Sequence, residues 1–160
     1  MRNLLLFFCL ALVTVSSCKR SDGYNKLDGA EVEKQMQKDE ELIKEFLTKN
    51  NLNAQKHEYG VYYIKSNPGT GNVVYTTRTN VTANYTLRLL NGTVVQKTTE
   101  PVTFSLSTVI QGWQIGIPLI QRGGKIRLLI PSVLAYGPDD KPGIPANSVL
   151  DFDIELVDVY

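Results

Sequence analysis

Cysteine and histidine are nearly missing from this chain. It has two Cys and one His, and neither type occurs between Val109 and Tyr160, nor does an acid pair of catalytic spacing. That stretch therefore offers no thiolate nucleophile, no imidazole base and no metal-ligand set. Cys9 and Cys18 both fall in the first segment, so the body of the chain has no disulfide framework. Charge of either sign is not in excess. Lys and Arg number 17 against 16 Asp and Glu, which gives no electrostatic reason to expect nucleic acid as a partner. The one long apolar run, Leu4 to Val13, is about half of the roughly 20 residues that span a bilayer. Glycines in Asn67-Pro68-Gly69-Thr70-Gly71-Asn72 are followed by no Lys-Ser/Thr and no helix, so this turn is not a phosphate loop.

What the first segment does carry is the pattern of export. Arg2, the apolar run and the small residues after it describe a signal peptide over residues 1–17. Cys18, directly after Val15-Ser16-Ser17, looks like a bacterial lipoprotein cleavage box, in which the Cys is lipidated and becomes the first residue. An ordinary signal peptide with an incidental Cys is the alternative. The lipoprotein reading leaves no free thiol and places the chain in the bacterial cell envelope. It would be anchored through Cys18, on the outer membrane facing the periplasm. Residues 18–30 are polar and unpatterned and read as a lipidated tether.

Residues 31–50 turn helical. Val32, Met36, Ile43 and Leu47, with Leu42 and Phe46, form one apolar stripe among charges. Asp28 with Glu31 suits a capping box, and Asn50-Asn51 ends the run. Asp39 and Glu40 interrupt the stripe, so its first half is expected to fray. Two uses remain open for this helix: a spacer docking through Ile43, Phe46 and Leu47, or a dimerisation or partner-binding element. From residue 60 to 160 the pattern is β. Strands are expected at Val61–Lys65, within Thr79–Leu90, at Thr93–Gln96 after the hairpin signal Asn91-Gly92, and at Val102–Leu106, Lys125–Ile130 and Val149–Val157. Asp151, Asp153 and Glu155 alternate with Leu150, Phe152, Ile154 and Leu156, and read as a solvated face rather than a metal site. Gln111 to Ile120 reads as a short helix presenting Trp113, Ile117 and Ile120, with Pro118 as an unexplained conflict. The result is an α+β domain: an antiparallel sheet of about five strands wrapped on one short helix, its other face largely solvated, with an amino-terminal helical extension.

Between Val109 and Tyr160 a Trp, a Tyr and a Phe sit among β-branched residues, which is the lining of an apolar slot. Ile110-Gln111-Gly112-Trp113, Gly124-Lys125-Ile126-Arg127-Leu128, Ala135-Tyr136-Gly137 and Gly143-Ile144-Pro145 follow in order. Tyr85 precedes them on a strand, and Phe152 follows on the last one. In order and spacing these pieces resemble the FKBP-type peptidyl-prolyl isomerases, over roughly Gly60 to Tyr160. The resemblance implies an FKBP-like fold and rotation about X–Pro bonds of proline-containing polypeptides, with no cofactor and no metal. Macrolide-type ligands are implied for the same slot. It implies Trp113 as the floor under the prolyl ring, Val109 and Phe152 as walls, and Tyr85 opposite. The Ile110 N–H and the Tyr136 hydroxyl would each hold a carbonyl, and Ile144 would close the rim. Core packing is the plainer role for Trp113, Phe152 and Tyr85 taken singly.

This chain departs from the family pattern on one wall. Val95-Gln96 stands where the family places Phe-Asp, and Val102 replaces an aromatic two residues before Phe104. An FKBP-like binding or chaperone module with weakened catalysis is therefore the second reading. A third, a β-rich adhesion domain, draws on the Thr/Asn-rich stretch and the Asn-x-Thr triplets at Asn80, Asn84 and Asn91, but leaves the Trp113–Ile144 constellation without a role.

Overall fold

Alternating apolar and polar side chains resolve into one antiparallel sheet in the computed structural model, which describes residues 29–160. The export signal, Cys18 and the tether up to residue 28 lie outside the described residues. The strands are β1 (Gln55–Lys56), β2 (Tyr62–Asn67), β3 (Asn80–Leu89), β4 (Val94–Lys97), β5 (Val102–Ser105), β6 (Lys125–Ile130) and β7 (Leu150–Val159). They are ordered β1-β2-β6-β7-β3-β4, and β5 also pairs with β3. The sheet therefore has seven strands rather than about five. The pair Gln55–Lys56 is too short for any alternation to show in sequence.

β3 is long because it serves three partners. One edge pairs with β7 along its length, in a register that sets Tyr85 opposite Ile154 and Leu87 opposite Phe152. The other edge is shared: Asn80–Ala83 pair with β5 and Thr86–Arg88 with β4. The Asn91-Gly92 turn closes the β3–β4 hairpin, with Gly92 at φ +88° and its N–H on the Leu89 carbonyl. One face of β3, β6 and β7 builds the main core from Ala83, Leu87, Leu128, Ile130, Phe152, Ile154 and Leu156.

The short helix packed on that core is α2 (Gln111–Gly116). It ends earlier than its apolar pattern suggests, and a 3₁₀ turn, Ile117–Leu119, continues it. This removes the conflict at Pro118. In the first positions of a new turn a proline lacks only an N–H that no helical carbonyl was waiting for.

The opposite face of the sheet is open over much of its area, with Ser66, Lys125 and Asp153 exposed, but not throughout. It is partly covered by α1 (Gly29–Lys49), which lays Ile43, Phe46 and Leu47 against Tyr62, Leu129 and Val149 in a second apolar cluster. Leu129 is the outward residue of β6 that needs this cover. Asp39 does not break the helix. It is fully buried, and its carboxylate accepts hydrogen bonds from the Ser132 N–H at 2.7 Å, the Ser132 hydroxyl at 2.6 Å and the Gln35 side chain at 2.7 Å. Glu40 likewise has partners. Hydrogen bonds from Lys44, Lys56 and the Tyr62 hydroxyl hold its carboxyl down to about 2.

Nor are the acids of β7 all solvated. Asp153 is exposed and pairs with Arg88, and Glu155 pairs with Lys125. Asp151 is 2 % exposed and receives a bidentate pair from Arg127, 2.8 Å to each oxygen. The Arg127 guanidinium in turn lies over the Phe46 ring. Covering the sheet with α1 turns one acid of the row into a buried ion pair. Removing the cation alone would strand that carboxylate. Arg127→Met is expected to lower the unfolding free energy, read by urea titration at pH 7, by about 3 kcal/mol, and adding Asp151→Leu to return most of the loss. An Arg127→Met chain as stable as the parent would show that the pair contributes nothing.

Candidate active site

The floor of the site depends on two glycines. A methyl group on Gly112 would lie 2.3 Å from Ile130 Cγ2, and one on Gly116 2.5 Å from Leu128 Cδ1. One helical turn apart, they give α2 a bare stripe, so its backbone settles onto β6. Trp113, between them, is thereby pressed into the core side of the sheet at 4 % exposure. The rings of Tyr85, Phe104 and Phe152 surround it with centroids 5.2–5.5 Å away, all near perpendicular to the indole. Such edge-to-face contacts are the favoured geometry of aromatic groups. The indole N–H is buried with no acceptor among the described residues.

Above this floor opens a slot of about 240 Å³. That is below the roughly 300–1,000 Å³ of pockets that enclose a drug-sized ligand, so it has room for one ring with its neighbours left outside. Its lining gathers Tyr85, Gln96, Phe104, Val109, Ile110, Trp113, Tyr136 and Phe152, eight residues that the sequence singles out from four strands, a helix start and a loop. Leu87 and Thr108 complete it. Alternation along β3 assigns Leu87 to the core face only, although that face also forms the slot wall. Thr108 adjoins Val109-Ile110, and that adjacency is the one sequence signal for it.

Three expected residues stand outside the lining. Val102 is 41 % exposed on β5, opposite Ala83. Ile144 is not a rim residue: it is 5 % exposed and packed within the main core. Val95 is half-buried and backs the loop that carries Ile144, its Cγ1 3.3 Å from where a methyl on Gly143 would sit. The wall expected at Val95 and Val102 is made by Gln96, Phe104 and Leu87 instead.

Polar groups at the mouth are few. Ile110 begins α2, and its carbonyl accepts from the N–H groups of Trp113 and Gln114 at 3.0 and 3.3 Å. Its own N–H donates to no group among the described residues. The Gln114 side chain donates to the Val109 carbonyl at 2.9 Å. Because a trans peptide is planar with C=O and N–H opposed, this clamp fixes the plane that carries the Ile110 N–H. Sequence reasoning misses Gln114, since a polar residue on a short helix gives no sign of folding back over its own start. Tyr85 is clamped through its backbone, its N–H donating to Thr98 Oγ1 at 2.9 Å. Burial pushes its hydroxyl above the ordinary 10, the nearby Tyr136 adds to this, and hydrogen bonding with Gln96 opposes it. Tyr85 is therefore a neutral phenol at physiological pH.

Tyr136 follows the 3₁₀ turn Ser132–Leu134. The flanking N–H groups of Ala135 and Gly137 both donate to the Ser132 carbonyl, at 2.9 and 2.8 Å. The loop beyond is fastened by paired backbone bonds between Lys141 and Ile144, and by the Ala146 N–H on Asp140 Oδ1. This gives Asp140 a structural role. The assembly is an aromatic-floored, ring-sized slot with one free N–H donor and phenol hydroxyls at its mouth. It can hold an apolar ring and its flanking carbonyls; it has no group placed to attack or to move a proton.

Residues 72–157 match the domain family described as FKBP-type peptidyl-prolyl cis-trans isomerase. Among curated proteins, the chain is similar to the FKBP-type peptidyl-prolyl cis-trans isomerase FkpA of Buchnera aphidicola subsp. Schizaphis graminum. The identity is 42 % over 109 residues, covering 66 % of this chain and 43 % of that one. FkpA of Aeromonas hydrophila is 36 % identical over 138 residues, 83 % of this chain and 51 % of the relative. The chain thus spans about half the length of these relatives. Among solved structures, FkpA from Escherichia coli superposes with a TM-score of 0.68 at 37 % identity, covering 81 % of this chain and 63 % of that one. A Pseudomonas syringae peptidyl-prolyl cis-trans isomerase gives 0.66 at 28 %, covering 80 % and 95 %.

The close approach of α2 can be tested directly. Gly112→Ala is expected to lower the unfolding free energy by about 1–3 kcal/mol, the usual effect of overpacking. It should also shift the fluorescence of Trp113, the single tryptophan of the chain. A neutral result in both would mean that α2 does not depend on the bare stripe.

Proposed function

This chain belongs to the FKBP-type peptidyl-prolyl cis-trans isomerase family, and from that premise we propose that it speeds rotation about X–Pro bonds of exported polypeptides in the cell envelope. The observation that carries this reading is the ring-sized slot floored by Trp113 beside the unengaged Ile110 N–H.

The physics of the reaction suits such a slot. Rotation about an X–Pro bond faces a barrier of roughly 18–20 kcal/mol from amide resonance and takes tens to hundreds of seconds unaided. No bond breaks, so no nucleophile or proton shuttle is called for. In the twisted transition state the nitrogen lone pair is decoupled, and the amide is less dipolar than when planar. An apolar, water-excluding slot therefore disfavours the planar ground state relative to the twisted one, and a shape that fits the twisted form adds to the difference. The prolyl ring rests on the Trp113 indole between Val109 and Phe152, with Tyr85 and Phe104 opposite. The Ile110 N–H holds one flanking carbonyl and the Tyr136 hydroxyl another. A macrolide with a prolyl-like ring would compete for the same floor.

Refolding of a proline-limited protein, followed with and without this chain, tests the reading. Trp113→Ala is expected to reduce kcat/KM about tenfold or more, equivalent to about 1.4 kcal/mol of transition-state stabilisation. No rate gain over that variant would overturn the enzymatic reading. A second reading, a binding module of reduced activity, is favoured by Gln96 in the slot wall, a neutral amide. Val95→Phe combined with Gln96→Asp should raise the rate if that reading is right; an unchanged rate removes the reason to prefer it.

The envelope location rests on Arg2, the run from Leu4 to Val13 and Cys18 after Val15-Ser16-Ser17. Expressed in a bacterium fed a clickable fatty acid, the chain should take up label and fractionate with membranes, and Cys18→Ser should do neither. Label-free parent protein would overturn the lipid anchor.

A further inference from the structure

Asp39 is an uncommon residue to find wholly buried inside a docked helix. It has no cationic partner among the described residues; its three hydrogen bonds come from neutral donors. Gln35 Nε2 serves Oδ1, while the backbone N–H and the hydroxyl of Ser132 both serve Oδ2. Burying a polar group is unfavourable unless hydrogen bonds satisfy it, and here both side-chain oxygens of Asp39 accept them. A carboxylate so placed holds its partner more firmly than an apolar contact could. That partner is Ser132, in the turn that follows β6.

Ser132 passes this constraint on. Its carbonyl accepts the N–H groups of both Ala135 and Gly137, the two residues that flank Tyr136. Gly137, at φ +57°, is then tied onward by its carbonyl to the Asn147 N–H at 2.7 Å. The backbone around Tyr136 is thus folded onto one residue, and that residue is anchored by a carboxylate from the amino-terminal helix.

We propose that Asp39 is a positioning residue for the slot: through Ser132 it sets the place of the Tyr136 hydroxyl, so that α1 takes part in the isomerisation reaction without touching the substrate. The part that Tyr136 plays in this rests on the isomerase reading. A side chain displaced by about 1 Å can lose up to about a hundredfold in rate, and one hydrogen-bonding group at the mouth sits well below that ceiling.

Two measurements on the full chain separate this proposal from a structural role for Asp39 and from failure of the isomerase reading. The first is amide hydrogen exchange. In Asp39→Ala, and more mildly in Ser132→Ala, exchange at Ala135 and Gly137 should rise about tenfold or more relative to Leu128 in β6, whose rate reports global opening. Exchange that rises equally at all three sites, or at none, overturns the proposal whether or not the protein is an isomerase. The second is a double-mutant cycle on kcat/KM with Tyr136→Phe, run well below the unfolding midpoint. Asp39→Ala should lower kcat/KM about three- to tenfold in the parent and less than twofold in the Tyr136→Phe background. Asp39→Asn, which keeps the shape and one acceptor oxygen, should restore most of the loss. An equal loss in both backgrounds shows that Asp39 acts on the fold rather than through Tyr136, and overturns the proposal. If the parent shows no catalysis, the isomerase reading fails, and the exchange ratios alone decide whether Asp39 holds the Tyr136 turn.

Discussion

The slot hangs on how closely α2 can approach β6. Without the bare stripe of Gly112 and Gly116, the helix would ride higher on Ile130 and Leu128, and the indole between them would leave the ring of Tyr85, Phe104 and Phe152. The parts of the site carried by the helix take their place from this contact. Ile110 is the residue at which the helix starts, so its N–H is aimed by the same docking, and Gln114 reaches back from the following turn to lock that aim. Trp113 serves at once as a core residue and as the floor, and this is why core packing and binding are hard to separate from its sequence context.

The other face of the sheet shows how an accessory helix becomes part of the domain. α1 is mostly polar, yet it covers Leu129, Tyr62 and Val149 with one narrow stripe and meets each buried polar group with a partner. Asp39 engages Ser132, Glu40 engages Tyr62 and two lysines, and Phe46 lies under Arg127, which neutralises Asp151. A buried ion pair is weak evidence of net stability, since two well-packed apolar residues often do as well. Its consequence is geometric: these partners tie α1 to particular positions on the sheet and on the turn after β6.

Elements with a strong local rule are legible in the sequence. Period-two alternation locates β3 and β7, and Asn91-Gly92 locates the hairpin. Four motifs in order, with Tyr85 and Phe152 around them, locate most of the slot. What is not legible depends on long-range contacts. Asp39 reads as a break in an apolar stripe because its partner lies 93 positions away. Asp151 reads as solvated because nothing in β7 reveals the helix above it. Val95, Val102 and Ile144 enter the site by analogy of position, but which side of an edge strand or loop faces a cavity is settled by packing. Pro118 is anomalous only while one helix is drawn through it.

Both margins of the sheet are short. β1 has 2 residues and β4 has 4, and they carry Lys56 and Lys97, while Pro101 precedes β5. Strands this brief and charged offer a poor template for another extended chain to join by main-chain pairing. A polypeptide passing over these two margins therefore finds little to pair with through its main chain. On the function proposed above, its grip comes through a side-chain ring dropped into the slot, so it would be held at one residue and released along the rest. On that same function, the arrangement would let the protein touch unfolded chains repeatedly without becoming the first layer of an aggregate.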